Sequence, residues 1–304
     1  MPSNYFSVSL RPSHVRWALV SGNLVVLERG VWAWSLTSAG QAISVIAELV
    51  ERHGVDVAAL GVSVPATVFA DDEQGTVYDG PLAPLDGVPL GAELSFVTSL
   101  PVVVEGTGRT SALGEYVAGS LYGKDLAAAL IIGKQVEGGI ISRGRVVSGA
   151  HSFAGAFGML RRAPFVDDVN HVDDMSSLCG EDALRALILE AKGMLDMGDI
   201  NTATLFDWVM QGDEGALRGL HAYAKRLCMW ICNLQCVIDP EAFAIGGAVA
   251  RQSVFMEALE TMMRSTMAEI SLKPIPMPQL VAFELGADAP LVGAAYAART
   301  RMTV

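Results

Sequence analysis

Residues 5–10, YFSVSL, alternate apolar and polar side chains, the period of a half-buried strand. Two more strands are read at residues 15–20 and 23–34, with Arg11-Pro12-Ser13 as the first turn and Gly22 at the second. The period then changes. Ala42, Val45, Ile46, Leu49 and Val50 share one face of a helix over residues 39–53, which Ser38 caps. Residues 57–64 are a short apolar run ending at Pro65, the pattern of a buried strand. A polar stretch rich in Gly and Pro, 71–89, is a loop with one short strand at 76–78, and 90–97 is a short helix. The order β-β-β-α-β-α-β-α, antiparallel at first and then parallel with helical crossovers, predicts a mixed sheet covered by helices.

The stretch from residue 102 to 159 is the centre of the chain. It opens as a strand at 102–104, turns at Glu105-Gly106-Thr107-Gly108 and enters a small-residue helix over 109–119. A strand at 126–132 follows, then a glycine turn through Gly133, Gly138 and Gly139, and a second strand running to Arg143-Gly144. Turns of this kind place backbone amides around a phosphate or a sugar. Beyond an irregular stretch at 160–177, helices are read at 181–192, 201–211, 213–237, 253–270 and 289–301, with strands at 242–245 and 279–284. The pairs Asp167-Asp168 and Asp173-Asp174 in the irregular stretch are read as solvated loop charges.

Composition narrows the function. With 51% hydrophobic and 18% charged residues among 304, the chain has ample material for a folded α/β core. A formal charge of −12 argues against a nucleic-acid surface. No apolar run has the length of a membrane span, no signal peptide is read, and the four unpaired-looking cysteines fit a reducing cytoplasm. Cys228, Cys232 and Cys236 form one helical stripe. Zinc is one reading and buried small hydrophobes the other, favoured because no His or Asp on that face completes a ligand set.

Four segments, 213–247, 132–144, 149–158 and the tail GADAPLVGAAYAA, together resemble the ROK family. That family groups bacterial sugar kinases with sugar-sensing repressors. The resemblance implies an actin/hexokinase-like (ribonuclease H-like) fold of two α/β domains flanking a cleft. They would comprise residues 1–115, with a C-terminal helix at 289–304 packing back on them, and residues 116–288.

Carried over residue by residue, the family's chemistry is altered. Its Asp-x-Gly-x-Thr phosphate turn reads Ser9-Leu10-Arg11-Pro12-Ser13 here, without the carboxylate. The second phosphate loop keeps Gly133, Gly138 and Gly139 but carries Gln135 and Glu137 among them, and Gly246-Gly247 is retained on the adenosine side. The Asn-Asp pair bearing the catalytic base aligns with Gly106-Thr107, and a threonine hydroxyl is not a base near neutral pH. Glu105 is adjacent, but strand alternation turns it the other way. The family's sugar carboxylate and zinc histidine fall on Ala156 and Met159, its sugar Asn on Pro81, and Cys179 with His171 cannot replace the missing zinc loop.

The expectation from sequence is therefore a non-catalytic ROK-like protein. It would sense a sugar or sugar derivative in a transcriptional-regulator-type role, with no helix-turn-helix of its own and no direct contact with nucleic acid or membrane. Glu105, Gly106, Thr107, Arg109, Ser152 and Ala156 are the candidate ligand contacts, with Ser111 nearby. Arg109 suggests an acidic sugar. Ser9, Ser13, Gly133, Gly138, Gly139, Gly246 and Gly247 are relics of nucleotide loops. No metal and no cofactor is expected, and the resemblance implies a homo-oligomer. Two alternatives stand: a divergent sugar kinase with relocated groups, using ATP and Mg, and a structural or interaction protein with a closed cleft.

Overall fold

The computed structural model describes residues 4–69, 72–161, 173–195, 200–270 and 277–301. The chain forms two compact units, one of Met1–Asp125, Gly139–Gly155 and Ala287–Val304, the other of Leu126–Gly138 and Ala156–Gly286. The expected division after residue 115 falls instead at 125/126, and 139–155 return to the first unit.

In the first unit, β1 (Asn4–Arg11), β2 (His14–Val20), β3 (Val26–Ala33), β4 (Val57–Val64) and β7 (Val102–Gly106) form a sheet in the order β3-β2-β1-β4-β7. The first three strands are antiparallel, and β4 and β7 add in parallel. Between β4 and β7 lie the two-stranded β5 (Thr67–Val68) and β6 (Val77–Tyr78) and helix α2 (Leu90–Thr98). Helix α1 (Ala39–His53) begins where Ser38 Oγ accepts the Gln41 N–H at 3.2 Å.

Alternation sorts the two faces of this sheet. Phe6, Val8, Leu10, Leu60, Val62 and Val64 join Ile46 and Leu49 of α1 and Leu94 of α2 in one core. The opposite face carries small residues, Ser7, Ser9, Gly61 and Ser63, and receives α3 (Thr107–Ala118) and α9 (Ala289–Arg301). The packing there is backbone against backbone. A Cβ on Gly61 would stand 2.2 Å from the Ala294 carbonyl oxygen, one on Gly114 2.1 Å from that of Ala289, and one on Gly293 1.7 Å from that of Thr110. This contact seats the N-terminus of α3 at the end of the sheet.

The second sheet runs β10 (Arg145–Val146), β9 (Val136–Ser142), β8 (Leu126–Ile132), β11 (Ala242–Gly247), β12 (Gln279–Ala282). Its β8, β11 and β12 are parallel. The second unit also holds α4 (Met175–Cys179), α5 (Glu181–Ala191), α6 (Thr202–Met210), α7 (Glu214–Ile238) and α8 (Ser253–Ile270). Leu220, Ala224, Leu227 and Ile231 of α7 are fully buried. Among the described residues no helix is long and apolar enough to cross a membrane.

Three local readings change. The strand expected from residue 23 starts at Val26, because Leu24 has φ 64° and its N–H bonds Ser21 in a turn. Residues 175–177, the end of the stretch expected to be irregular, open a helix that runs to Cys179 because Asp174 and Ser177 cap one another's backbone. The same bonds make Asp174 a helix cap. Asp167, Asp168 and His171 lie outside the described residues. The helix expected from residue 109 starts at Thr107.

Candidate functional site

The junction of β7 and α3 gathers most of the candidate residues. Val103 and Val104 bury β7, and Gly106 ends it in extended geometry as the N-cap of α3. A Cβ on Gly106 would press to 3.2 Å from the Ala66 carbonyl oxygen. Glu105 does not turn away as strand alternation implies. Its Oε1 accepts from Gly106 N at 2.7 Å and from Arg109 Nε at 2.7 Å, and Arg109 Nη2 lies 2.6 Å away. The strand ends at the next residue, so the side chain folds back over the first turn of α3. Among the described residues no donor reaches Glu105 Oε2.

Burial raises the Glu105 carboxyl above its ordinary range, and the Arg109 charge and the Gly106 N–H oppose this. Arg109 itself is only 5% exposed. Besides Glu105 it donates to the Val68 carbonyl at 2.5 Å and to the Ser152 carbonyl at 3.1 Å. Ser152 holds φ 57°, and its carbonyl faces the guanidinium in that left-handed conformation. Arg109 is thus a clamp joining α3 to the β5 strand and the 148–155 loop. Its donors are directed at protein acceptors, which corrects the idea that it receives an acidic sugar.

Thr107 opens α3 in a buried hydroxyl cluster. Arg11 Nη1 donates to Thr107 Oγ1 at 3.1 Å, Ser63 Oγ bonds it at 3.3 Å, and Ser63 also meets Thr110 Oγ1 at 2.9 Å. Ser63 pairs across the sheet with Ser9, whose fully buried Oγ has no partner among the described residues. Ser13 is exposed in the turn and bonds His14 Nδ1 at 3.1 Å. Ser111 is buried on α3. Arg11 was read only as part of a turn, and Ser63 and the Val68 carbonyl were not among the candidate contacts. The small residues alternating with apolar ones in β1 (Ser7, Ser9) and β4 (Gly61, Ser63) were the available signal, while the Arg11 contact spans 96 residues of chain.

The glycines of the loops have packing reasons. Gly139 lets β9 lie against α3, since a Cβ would sit 2.7 Å from the Gly108 carbonyl oxygen and 3.0 Å from Arg109 Cα. In the second unit Gly247 has φ 100° and leaves 2.0 Å between a Cβ and the Ile132 carbonyl oxygen, while Gly246 lies under the Phe283 ring. Gly133 is the open one, with only the Gln135 carbonyl oxygen at 3.4 Å, and Gly138 is half-buried in β9. Ala156 precedes a 3-10 turn at Phe157–Met159 in which Met159 is exposed. Burial pushes the Cys179 thiol up to about 12.

The residues at the end of β1 do not suit a protein-held Mg2+. Such an ion takes carboxylate oxygens, whereas here a guanidinium faces a hydroxyl cluster. Among the described residues no three His, Cys, Asp or Glu side chains group to hold a metal.

The chain is similar to the bifunctional enzyme NanE/NanK of Brucella melitensis, 31% identical over 213 residues, covering 70% of this chain and 38% of that protein. It therefore spans well under half the length of that relative. It is 26% identical over 289 residues to the glucokinase of Streptomyces coelicolor, covering 86% of this chain and 87% of that one. A ROK glucokinase from Streptomyces griseus, solved with glucose and AMPPNP, superposes with a TM-score of 0.82 at 25% identity, covering 98% of this chain and 100% of that chain. The fold is the actin/hexokinase-like α/β fold that the sequence led us to expect. The expectation that the chain is not an enzyme, drawn from Thr107 in the base position, is overturned by these relatives, which are named as kinases. The ROK profile matches residues 13–301, and the chain belongs to the ROK family.

Proposed function

We propose that the chain is an ATP-dependent sugar kinase in which the carboxylate has moved from the position of Thr107 to Glu105. The carrying observation is the asymmetry of Glu105. Oε1 is held by the Gly106 N–H and the Arg109 guanidinium, and no donor among the described residues reaches Oε2. Oε2 takes the proton as the sugar hydroxyl oxygen attacks the γ-phosphorus, and ADP leaves with the bridging oxygen. Burial raises the proton affinity of Glu105 while the Arg109 guanidinium opposes that rise, the balance a general base requires. Arg11 supplies positive charge beside Thr107 for the transferring phosphoryl group. No step is assigned to Mg2+. The glucokinase names of two of the relatives support an aldohexose such as glucose as substrate.

The test is ADP release by the purified chain with ATP, Mg2+ and a panel of those sugars. Glu105→Gln lowers kcat about 10²- to 10⁴-fold, the usual contribution of a general base, while Thr107→Ala keeps most of it. No turnover with any sugar, or turnover indifferent to Glu105→Gln, overturns the proposal.

A further inference from the structure

We propose that Cys228 and Cys232 of α7, with Met263 and Met267 of α8, form a binding site for a soft monovalent metal ion, Cu(I) by its chemistry. The sequence shows only the cysteine stripe on α7. The facing helix adds what that stripe lacks. Each helix contributes two sulfurs four residues apart, one turn above the other, so the two pairs meet.

The sulfurs already stand at coordinating separations. Cys228 Sγ lies 3.4 Å from Met263 Sδ, Cys232 Sγ lies 3.7 Å from the same Sδ, and Cys232 Sγ lies 3.8 Å from Met267 Sδ. A tetrahedral four-sulfur site with metal–sulfur bonds of about 2.3 Å has S···S edges of about 3.8 Å. Three of the six edges of such a site are already within about 0.4 Å of that length.

Ligand type selects the ion. Thiolate with thioether suits Cu(I), whereas Zn(II) takes thiolate, imidazole or carboxylate, and no His, Asp or Glu joins these cysteines among the described residues. Cys228 and Met263 are fully buried and Cys232 is 5% exposed, so the sulfurs would hold the ion away from water. On binding, the displaced thiol protons go to solvent and no electron is transferred. Cys236, exposed and one turn further along α7, gives the ion a first point of contact.

The site is independent of sugar phosphorylation. The reduced full chain, under anaerobic conditions, is titrated with Cu(I) held by a chromophoric Cu(I) chelator. The expected result is removal of one Cu(I) per chain from the chelator, with no comparable uptake of Zn(II). Met263→Leu/Met267→Leu, which keeps volume and apolarity, weakens Cu(I) binding at least tenfold, and Cys236→Ser leaves the equilibrium affinity within twofold. Cys228→Ser, which removes a sulfur ligand, weakens it at least as much as the methionine pair. Failure to withdraw Cu(I) from the chelator overturns the site, as does an affinity unchanged by the methionine substitutions or one that follows Cys236 alone.

Discussion

Replacing Arg109 by Met tests whether the clamp at the start of α3 is a buried ion pair or an incidental contact. The guanidinium is 6% and the Glu105 side chain 16% exposed, so the charge left behind is poorly solvated. Removing one member of a buried pair costs about 3–5 kcal/mol, because the survivor is uncompensated. The loss depends on pH. Burial already raises the folded-state pKa of Glu105, and without Arg109 the rise is larger. The folded state then holds the proton more tightly than the unfolded chain. The contribution is fully present below the ordinary glutamate range and is lost as pH rises through the raised value. Urea unfolding at pH 5 and pH 8 measures this. Arg109→Met loses the full amount at pH 8 and less at pH 5. Adding Glu105→Gln removes the pH dependence and leaves about 2 kcal/mol, two hydrogen bonds lost to the Val68 and Ser152 carbonyls at about 1 kcal/mol each. A single-variant loss below about 1 kcal/mol, with the wild-type pH slope, would refute the buried pair.

Two further substitutions test the packing of the first unit. Gly293→Ala places a methyl 1.7 Å from the Thr110 carbonyl oxygen, so urea unfolding shows a loss of about 3 kcal/mol, the upper part of the range for overpacking. Gly40→Ala, with nothing within 4 Å, shows no such loss and gains up to about 1 kcal/mol of helix propensity. Ser9→Ala deletes a buried hydroxyl without a partner among the described residues and raises stability by about 1 kcal/mol in the same assay; a loss of that size would mean the hydroxyl is bonded after all.

Where structure follows from neighbouring residues, the sequence reading matches it closely. The helices over Ala39–His53 and Ala289–Arg301 and the strands over Val57–Val64 and Leu126–Ile132 have the bounds expected from their apolar patterns. Caps and turns are less visible. The Asp174–Ser177 box makes a five-residue helix from a stretch with no helical period, and the Leu24 turn shortens β3. The packing of α9 against α3 and β4 shows in the sequence only as small residues at Gly114, Gly293 and Gly61. Their partners are carbonyl oxygens of distant segments, which no local pattern encodes.

The site was harder to read for the same physical reason, and Glu105 shows it most clearly. Alternation holds only while the backbone stays extended, and Gly106 is the last extended residue before α3. Freed from the sheet's period, Glu105 is positioned by the Gly106 N–H and by Arg109, four residues on. Arg109 is fixed in turn by the Val68 and Ser152 carbonyls, 41 and 43 residues away in the chain. Aligning one motif position at a time registers the loss of an aspartate at Thr107. It does not register that a longer carboxylate side chain, two residues earlier, is bent back over the same helix turn. A threonine in place of the base and a glutamate folded over α3 are one arrangement, linked through the first turn of that helix. In the proposed kinase Glu105 keeps a carboxyl group near the N-terminus of α3, where the helix dipole favours its ionised form.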